Sequence, residues 1–300
     1  MPVEWSTLPV TLDLLGECPT WDVETKTLYW TDIPGMALKA WHPSSGAHRV
    51  WAMPEEVGSF ALRRQGGAIL AMRSGYALYD FATRTLERLP SPDYDRAFMR
   101  FNDGRAGPDG RFYAGTMYEP RGRTEGRLYR LDTDLTWSEL QDTACIVSNG
   151  LAFSRDGKTM FHSDSSLSRI DTHTFDAVTG TIGPRRTFAT IPKPALAGGI
   201  GLGHPDGATI DADGYYWSAM YNGKRIVRYA PDGSIEREIP FPCRCPTMLC
   251  FGGEHLDTIF VTSSRERRPA EELAEQTDAG RIFTTRIPGI RGVPEPRFNG

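Results

Sequence analysis

Along the chain, short apolar and aromatic runs alternate with clusters of Gly, Pro, Asp, Asn and Ser. Residues 17–54 show the plan: T-W-D, T-L-Y-W-T-D, A-L-K-A-W-H and H-R-V-W-A-M, with turns at Pro34-Gly35 and at residues 44–46. Runs of this length, rich in β-branched and aromatic residues and bounded by turn formers, predict antiparallel strands. The same plan recurs from Val57, Asn102, Asn149, Asp206 and Pro246. Six such units predict an all-β, six-bladed β-propeller with four antiparallel strands per blade, built as a single domain over residues 1–300. The strand in residues 3–14 is expected to complete the last blade. One stretch breaks the pattern: residues 266–276 are rich in helix formers and predict a short helix in the last blade, near the site mouth.

The units align on polar positions as well as apolar ones. Laid without gaps over residues 17–32, residues 149–164 place Phe153 on Trp21, Lys158 on Lys26, Phe161 on Tyr29 and Asp164 on Asp32. Asp109-Gly110, Asp156-Gly157 and Asp213-Gly214 fall at one distance from Asn102, Asn149 and Asp206, and each reads as the hairpin of its unit. Glu17, Asn102, Asn149 and Asp206 therefore occupy equivalent positions, which in a closed ring face one another across the central channel. Two carboxylates and two amides make an oxygen-rich set suited to a hard divalent cation. The second unit offers only Gly58 or Ser59 there. Asp206-Gly207 is free of the turn role that Asp213-Gly214 fills. Asp32 and Asp164 read as structural, and His162, inside an apolar strand, as a core histidine. His204 precedes Asp206 and is a weaker candidate for the site.

Composition narrows the classes. The formal charge is −4, with no basic stripe, so nucleic acid is not an expected partner. No apolar run approaches the roughly 20 residues of a spanning helix, and no membrane partner is expected. Five cysteines, Cys18, Cys145, Cys243, Cys245 and Cys250, with no visible export signal, read as reduced thiols in a cytoplasmic protein. The spacing of Cys243, Cys245 and Cys250 is not that of a zinc knuckle. The glycine-rich stretch 195–203 lacks the strand-then-helix context of a phosphate loop and reads as a mobile loop.

The motifs L-G-E-C-P-T-W-D (residues 15–22), R-F-N-D-G (100–104), Y-A-G-T-M (113–117), S-N-G-L-A-F-S-R-D-G (148–157) and P-D-G (205–207), in this order, resemble the senescence-marker-protein, gluconolactonase and luciferin-regenerating family. The resemblance implies a propeller with one divalent cation (Ca, Zn, Mn, Mg or Fe) held by Glu17, Asn149 and Asp206. It implies substrate contacts from Arg100 and Asn102, with Asp103 and Glu119 as further candidates, and Asp206 as general base. Cys18 stands where the family usually carries glycine. It either makes the site thiol-sensitive or points away from it.

The expected reaction is hydrolysis of a small-molecule sugar lactone to its aldonic acid. The cation polarises the carbonyl, and Asp206, or a water acidified by the cation, supplies the base or nucleophile. A monomer or weak oligomer is expected. Two other functions are open at this stage: a calcium-binding regulatory scaffold without turnover, and a promiscuous phosphotriesterase on the same metal site.

Overall fold

A computed structural model describes residues 3–192 and 201–300. Most of the glycine-rich stretch 195–203 lies outside them. Six antiparallel sheets form a ring of blades, and within each the chain runs outward from the central channel. The inner strands are Gly16–Asp22, Val57–Leu62, Met99–Ala106, Ser148–Phe153, His204–Ile210 and Pro246–Gly252. Blade six closes the ring: Ser6–Thr7 pairs with Phe283–Thr285, so the first strand of the chain is the outer strand of the last blade. This is the closure expected from residues 3–14, and it leaves the ring without a broken joint. Blade four departs from four strands. There Thr181–Ile182 and Arg186–Thr190 share the outer edge of Arg169–Asp176.

The apolar runs form strands because each sheet is covered on both faces by its neighbours. Val57–Leu62 and Ala68–Met72 are buried at every position, while the outer strands Leu86–Arg88 and Trp137–Glu139 are largely exposed. The core divides accordingly into clusters between adjacent blades. Phe60 and Leu70 meet Leu38 and Trp51 between blades one and two, Tyr113 meets Leu151 and Phe175 between three and four, and Phe161 packs with Tyr216 between four and five. Burial of one such side chain contributes about 1.5–3 kcal/mol, so the ring is held mainly by these radial contacts.

The hairpins follow the turn residues. Gly110, Gly157 and Gly214 have positive φ, and each amide donates to the carbonyl three residues earlier at 2.9–3.0 Å. Lys26 takes that conformation in blade one, where the turn lacks glycine. Pro231-Asp232-Gly233 is likewise a turn, with Asp232 accepting from Ser234.

The two mouths of the channel differ. At the end where the inner strands finish, residues 291–300 cross the ring as a strap. Its contacts are Ala212 N to Arg291 O, Arg297 to Asp22, Arg64 N to Phe298 O and Asn299 N to Gly110 O. Within it, Phe298 is fully buried. The opposite mouth, where the inner strands begin, carries the aligned polar residues. The helix Ala270–Glu275 lies in the connection between the blade-six strands Thr258–Ser263 and Phe283–Thr285 at this same mouth, with Leu273 packed on the core and Arg268 paired with Glu272.

Candidate active site at the channel mouth

Each inner strand carries a β-bulge against its neighbour, and all six fall at or beside the aligned polar position. They lie between Glu17 and Thr20, Val57 and Ser59, Phe101 and Gly104, Asn149 and Ala152, Pro205 and Ala208, and Pro246 and Leu249. A bulge turns a strand locally and re-aims its side chains. In blade four it depends on Gly150, at φ 62°, whose carbonyl takes the Tyr216 hydroxyl at 2.8 Å. In blade five it depends on Gly207, where a Cβ would stand 2.3 Å from the Met248 side chain.

A continuous network joins blades three, four and five. Arg100 Nη1 donates to Asn102 Oδ1 at 2.7 Å and to the Phe101 carbonyl at 2.9 Å. Asn102 Nδ2 donates to Asn149 Oδ1 at 2.9 Å and to the Ser148 carbonyl at 2.9 Å. Asn149 Nδ2 donates to Ser165 Oγ at 2.8 Å, and Ser165 donates to the Pro205 carbonyl at 2.6 Å, one residue before Asp206. All of these side chains are buried, Asn149 and Asp206 to within 6% exposure. Glu17, on blade one, is partly exposed.

Both aligned carboxylates are shifted upward. Burial pushes Glu17 well above the ordinary carboxylate range, and the Asp206 and Asp103 charges add to that rise. Asp206 is raised in the same way, first by burial and then by Asp103. Neither forms an ion pair with Lys or Arg among the described residues. Like charges held together without an ion-pair partner are costly, and a bound cation relieves that cost. No three His, Cys, Asp or Glu side chains converge as a ready cage among the described residues. The donor set is two carboxylates and an amide oxygen, and its unneutralised charge fits a hard divalent cation.

The other expected residues are placed less directly. Asp103 Oδ2 accepts from the Leu151 amide at 2.8 Å, so its side chain braces the blade-four bulge and adds negative charge to the site. Glu119 stands on the rim, bonded through both oxygens to Arg73 at 2.9 and 3.0 Å and 3.5 Å from Arg100 Nε. Asp32 and Asp164 are structural in one manner, each accepting amides of the chain that enters its inner strand: Leu14 and Leu15 for Asp32, Ile146 for Asp164. His162 is buried against Ser148 Oγ at 2.8 Å, and burial drives it down to about 3, so it is neutral. His204 Nδ1 lies 3.1 Å from Ser168 Oγ.

Cys18 points away from the channel. Its thiol donates to the Phe60 carbonyl at 3.2 Å between blades one and two, and burial pushes it up to about 12. Its φ of 52° lies in the left-handed region, which explains the glycine usual there. All five cysteines are free and buried. Sequence reading missed Ser165, Arg73 and Arg105. Ser165 directly follows Asp164, the end of the aligned stretch. Arg73 and Arg105 act through partners distant in sequence, Arg105 binding the Ala208 carbonyl at 2.7 Å.

Known proteins share this fold and much of this sequence. The profile of the SMP-30/Gluconolactonase/LRE-like region matches residues 15–265. A protein of Pseudomonas putida named 6-deoxy-6-sulfogluconolactonase is 43% identical over 287 residues, 96% of each chain. Regucalcin of Gallus gallus is 34% identical over 95% of each chain. Among solved structures, a calcium-binding protein, regucalcin, from Agrobacterium tumefaciens superposes with a TM-score of 0.91 at 27% identity, covering 100% of this chain and 99% of that one. With its bulged inner strands, its acidic channel mouth and a family match that spans most of its length, the chain belongs to the SMP-30/gluconolactonase/LRE-like family.

Proposed function

We propose that the protein is a lactonase, a carboxylic-ester hydrolase that opens a sugar lactone to its aldonic acid with one divalent cation. The observation that carries this reading is the pair of raised carboxylates, the partly exposed Glu17 and the buried Asp206, on the same channel mouth as the buried Asn149 amide. The enzyme class is supported by the relative named a gluconolactonase at 43% identity.

Glu17, Asn149 and Asp206 would hold the cation. When bound, it supplies Lewis-acid polarisation of the lactone carbonyl. Asn102 fixes the Asn149 amide so that its oxygen faces the channel with one lone pair engaged and the other available. Arg100 is oriented by Asn102, Phe101 and Glu119, and none of these bonds uses Nη2, which is left to hold a ring hydroxyl or the carbonyl. Prior alignment of that kind lowers the entropic part of the barrier. Asp206 accepts the proton of the attacking water. Burial and Asp103 raise its basicity, and a bound cation lowers it. The relative's name makes a gluconolactone with a 6-sulfo group the first substrate to assay, beside the unsubstituted lactone.

The test is acid release followed by pH-stat on a lactone panel, with wild type and Asp206→Ala, each with chelator and with added cation. Turnover lost on chelation, restored by metal and absent in the variant supports the reading. Variant activity near wild type refutes it. Metal binding without turnover across the panel favours the calcium-binding scaffold that the name of the Agrobacterium structure suggests.

A further inference from the structure

Asp206 sits in the bulge of the blade-five inner strand, between Pro205 and Ala208. The carbonyls on either side of that bulge are each held by a side chain from another blade. Ser165 of blade four donates to the Pro205 carbonyl at 2.6 Å, and Arg105 of blade three donates through Nη2 to the Ala208 carbonyl at 2.7 Å. His204–Ile210 is the edge strand of its sheet, so its free side faces the channel, and the Arg105 guanidinium spans from the third inner strand to the fifth. Blade four repeats the device: the Tyr216 hydroxyl, from blade five, holds the Gly150 carbonyl next to Asn149 at 2.8 Å. The other arm of the Arg105 fork leads to the far mouth. Nη1 meets Glu295 Oε1 of the strap at 3.3 Å, with the two side chains only 9% and 14% exposed. Other bonds of the strap fasten strand ends and turns, among them Asp22, Arg64, Gly110 and Ala212.

We infer that Arg105 is a positioning residue for the cation site and that the strap, through Glu295, sets it. This rests on the lactonase reading and adds to it a mechanical link from the far mouth to Asp206. The hydrogen bonds and ion pair of Arg105 among the described residues go to Ala208 and Glu295, so it acts on Asp206 through the backbone. A bulge interrupts the ladder and bends its strand, so the direction of the Asp206 side chain depends on what holds the bulge. A supporting shell must keep site groups within about 0.5 Å of their working positions. A rigid planar guanidinium fixes two acceptors at once, which a lysine ammonium on its flexible stem does not. Pairing with Glu295 supplies the counter-charge that a buried guanidinium needs and aims the fork at Ala208. The strap therefore does more than cover one end of the channel.

The experiment uses the full-length protein and its Arg105→Met, Arg105→Lys and Glu295→Gln variants, with the double variant Arg105→Met/Glu295→Gln. It reads Tm, Mn²⁺ affinity by calorimetry, amide hydrogen exchange over residues 206–210 without metal, and kcat and KM on gluconolactone at saturating Mn²⁺. Arg105→Met leaves Glu295 buried and unpaired, so its Tm falls for that reason alone. The double variant removes both charges and regains most of that Tm, yet leaves the Ala208 carbonyl unheld. The expected result is that the double variant binds Mn²⁺ about 10- to 100-fold more weakly than wild type. It also exchanges faster over residues 206–210 and loses kcat at little-changed KM, since Arg100 and Asn102 are untouched. Arg105→Lys recovers part of the affinity, and Glu295→Gln loses less than Arg105→Met. A double variant whose Mn²⁺ affinity and kcat return together with its Tm overturns the inference, because the pair then only fastens the strap, and leaves the lactonase reading standing. If wild type opens no lactone, that reading falls, and Mn²⁺ affinity and exchange decide this one. Both changed in the double variant uphold it, and either unchanged ends it.

Discussion

Ser165→Ala tests the network that positions Asn149. The hydroxyl accepts from Asn149 Nδ2 at 2.8 Å and donates to the Pro205 carbonyl at 2.6 Å, at 8% exposure. Removing it leaves one buried amide N–H and one buried carbonyl without partners, and adds little cavity. Each unsatisfied buried group costs about 1–3 kcal/mol, so about 2–6 kcal/mol for the two, which for a chain of this size is a fall in Tm of roughly 3–9 °C. The larger effect is expected at the site. Asn149 keeps its bond from Asn102 but loses the one that sets its rotation, and Asp206 loses the brace on the preceding carbonyl. Loss of such a supporting hydrogen bond costs about 10- to 100-fold in metal affinity or activity. Differential scanning fluorimetry, metal titration by calorimetry and lactone kinetics read the three quantities. A double-mutant cycle with Asn149→Ala isolates the pairwise part. Tm, affinity and kcat/KM all matching wild type would refute the network, as would full additivity in the cycle.

Three further outcomes are expected. His162 is held near 3 in the folded chain against 6.5 when unfolded. The unfolded state therefore binds the extra proton, and stability that is full above about 6.5 is lost as pH falls, by up to about 1.4 kcal/mol per pH unit; in urea melts at a series of pH values, His162→Gln flattens that slope, and an unchanged slope contradicts it. Arg100→Lys keeps the charge but loses the oriented donors to Phe101 and Asn102, so kcat/KM falls tenfold or more in steady-state kinetics while Tm moves by only a few degrees; activity equal to wild type removes Arg100 from the site. A disulfide-exchange reagent labels none of the five thiols in the native protein and all five after denaturation, since each is buried and Cys18 is pushed up to about 12; rapid labelling of Cys18 in the native state would place it in the channel after all.

The ring was legible because its signal is repetitive. Six units with one internal plan gave the blade starts, and Val57 and Pro246 begin strands as read. The closure by residues 3–14 follows from needing a partner for Phe283–Thr285. Helix formers around Glu271 and Glu272 gave the helix, which begins only after Pro269. The aligned Glu17, Asn102, Asn149 and Asp206 were legible as a set because a propeller repeats position as well as sequence. What escaped is what symmetry does not repeat. The strap of residues 291–300 has no strand periodicity and draws its stability from partners on most of the blades, among them Asp22, Arg64 and Gly110. Ser165 has no equivalent role in other blades, and Arg73 reaches Glu119 across 46 residues of sequence. The role of Asp103 depended on the bulge in the neighbouring blade, because only there does the Leu151 amide lack a strand partner.

The central claim is that Glu17, Asn149 and Asp206 share one cation. Crystals grown with Mn²⁺ and measured on the low-energy side and at the peak of its absorption edge test it directly. The account predicts one strong anomalous peak at the channel mouth, about 2.0–2.6 Å from an oxygen of each residue, and its loss in Asp206→Ala crystals. A peak bound elsewhere on the protein, or none at a concentration that restores activity to the chelated enzyme, would contradict it.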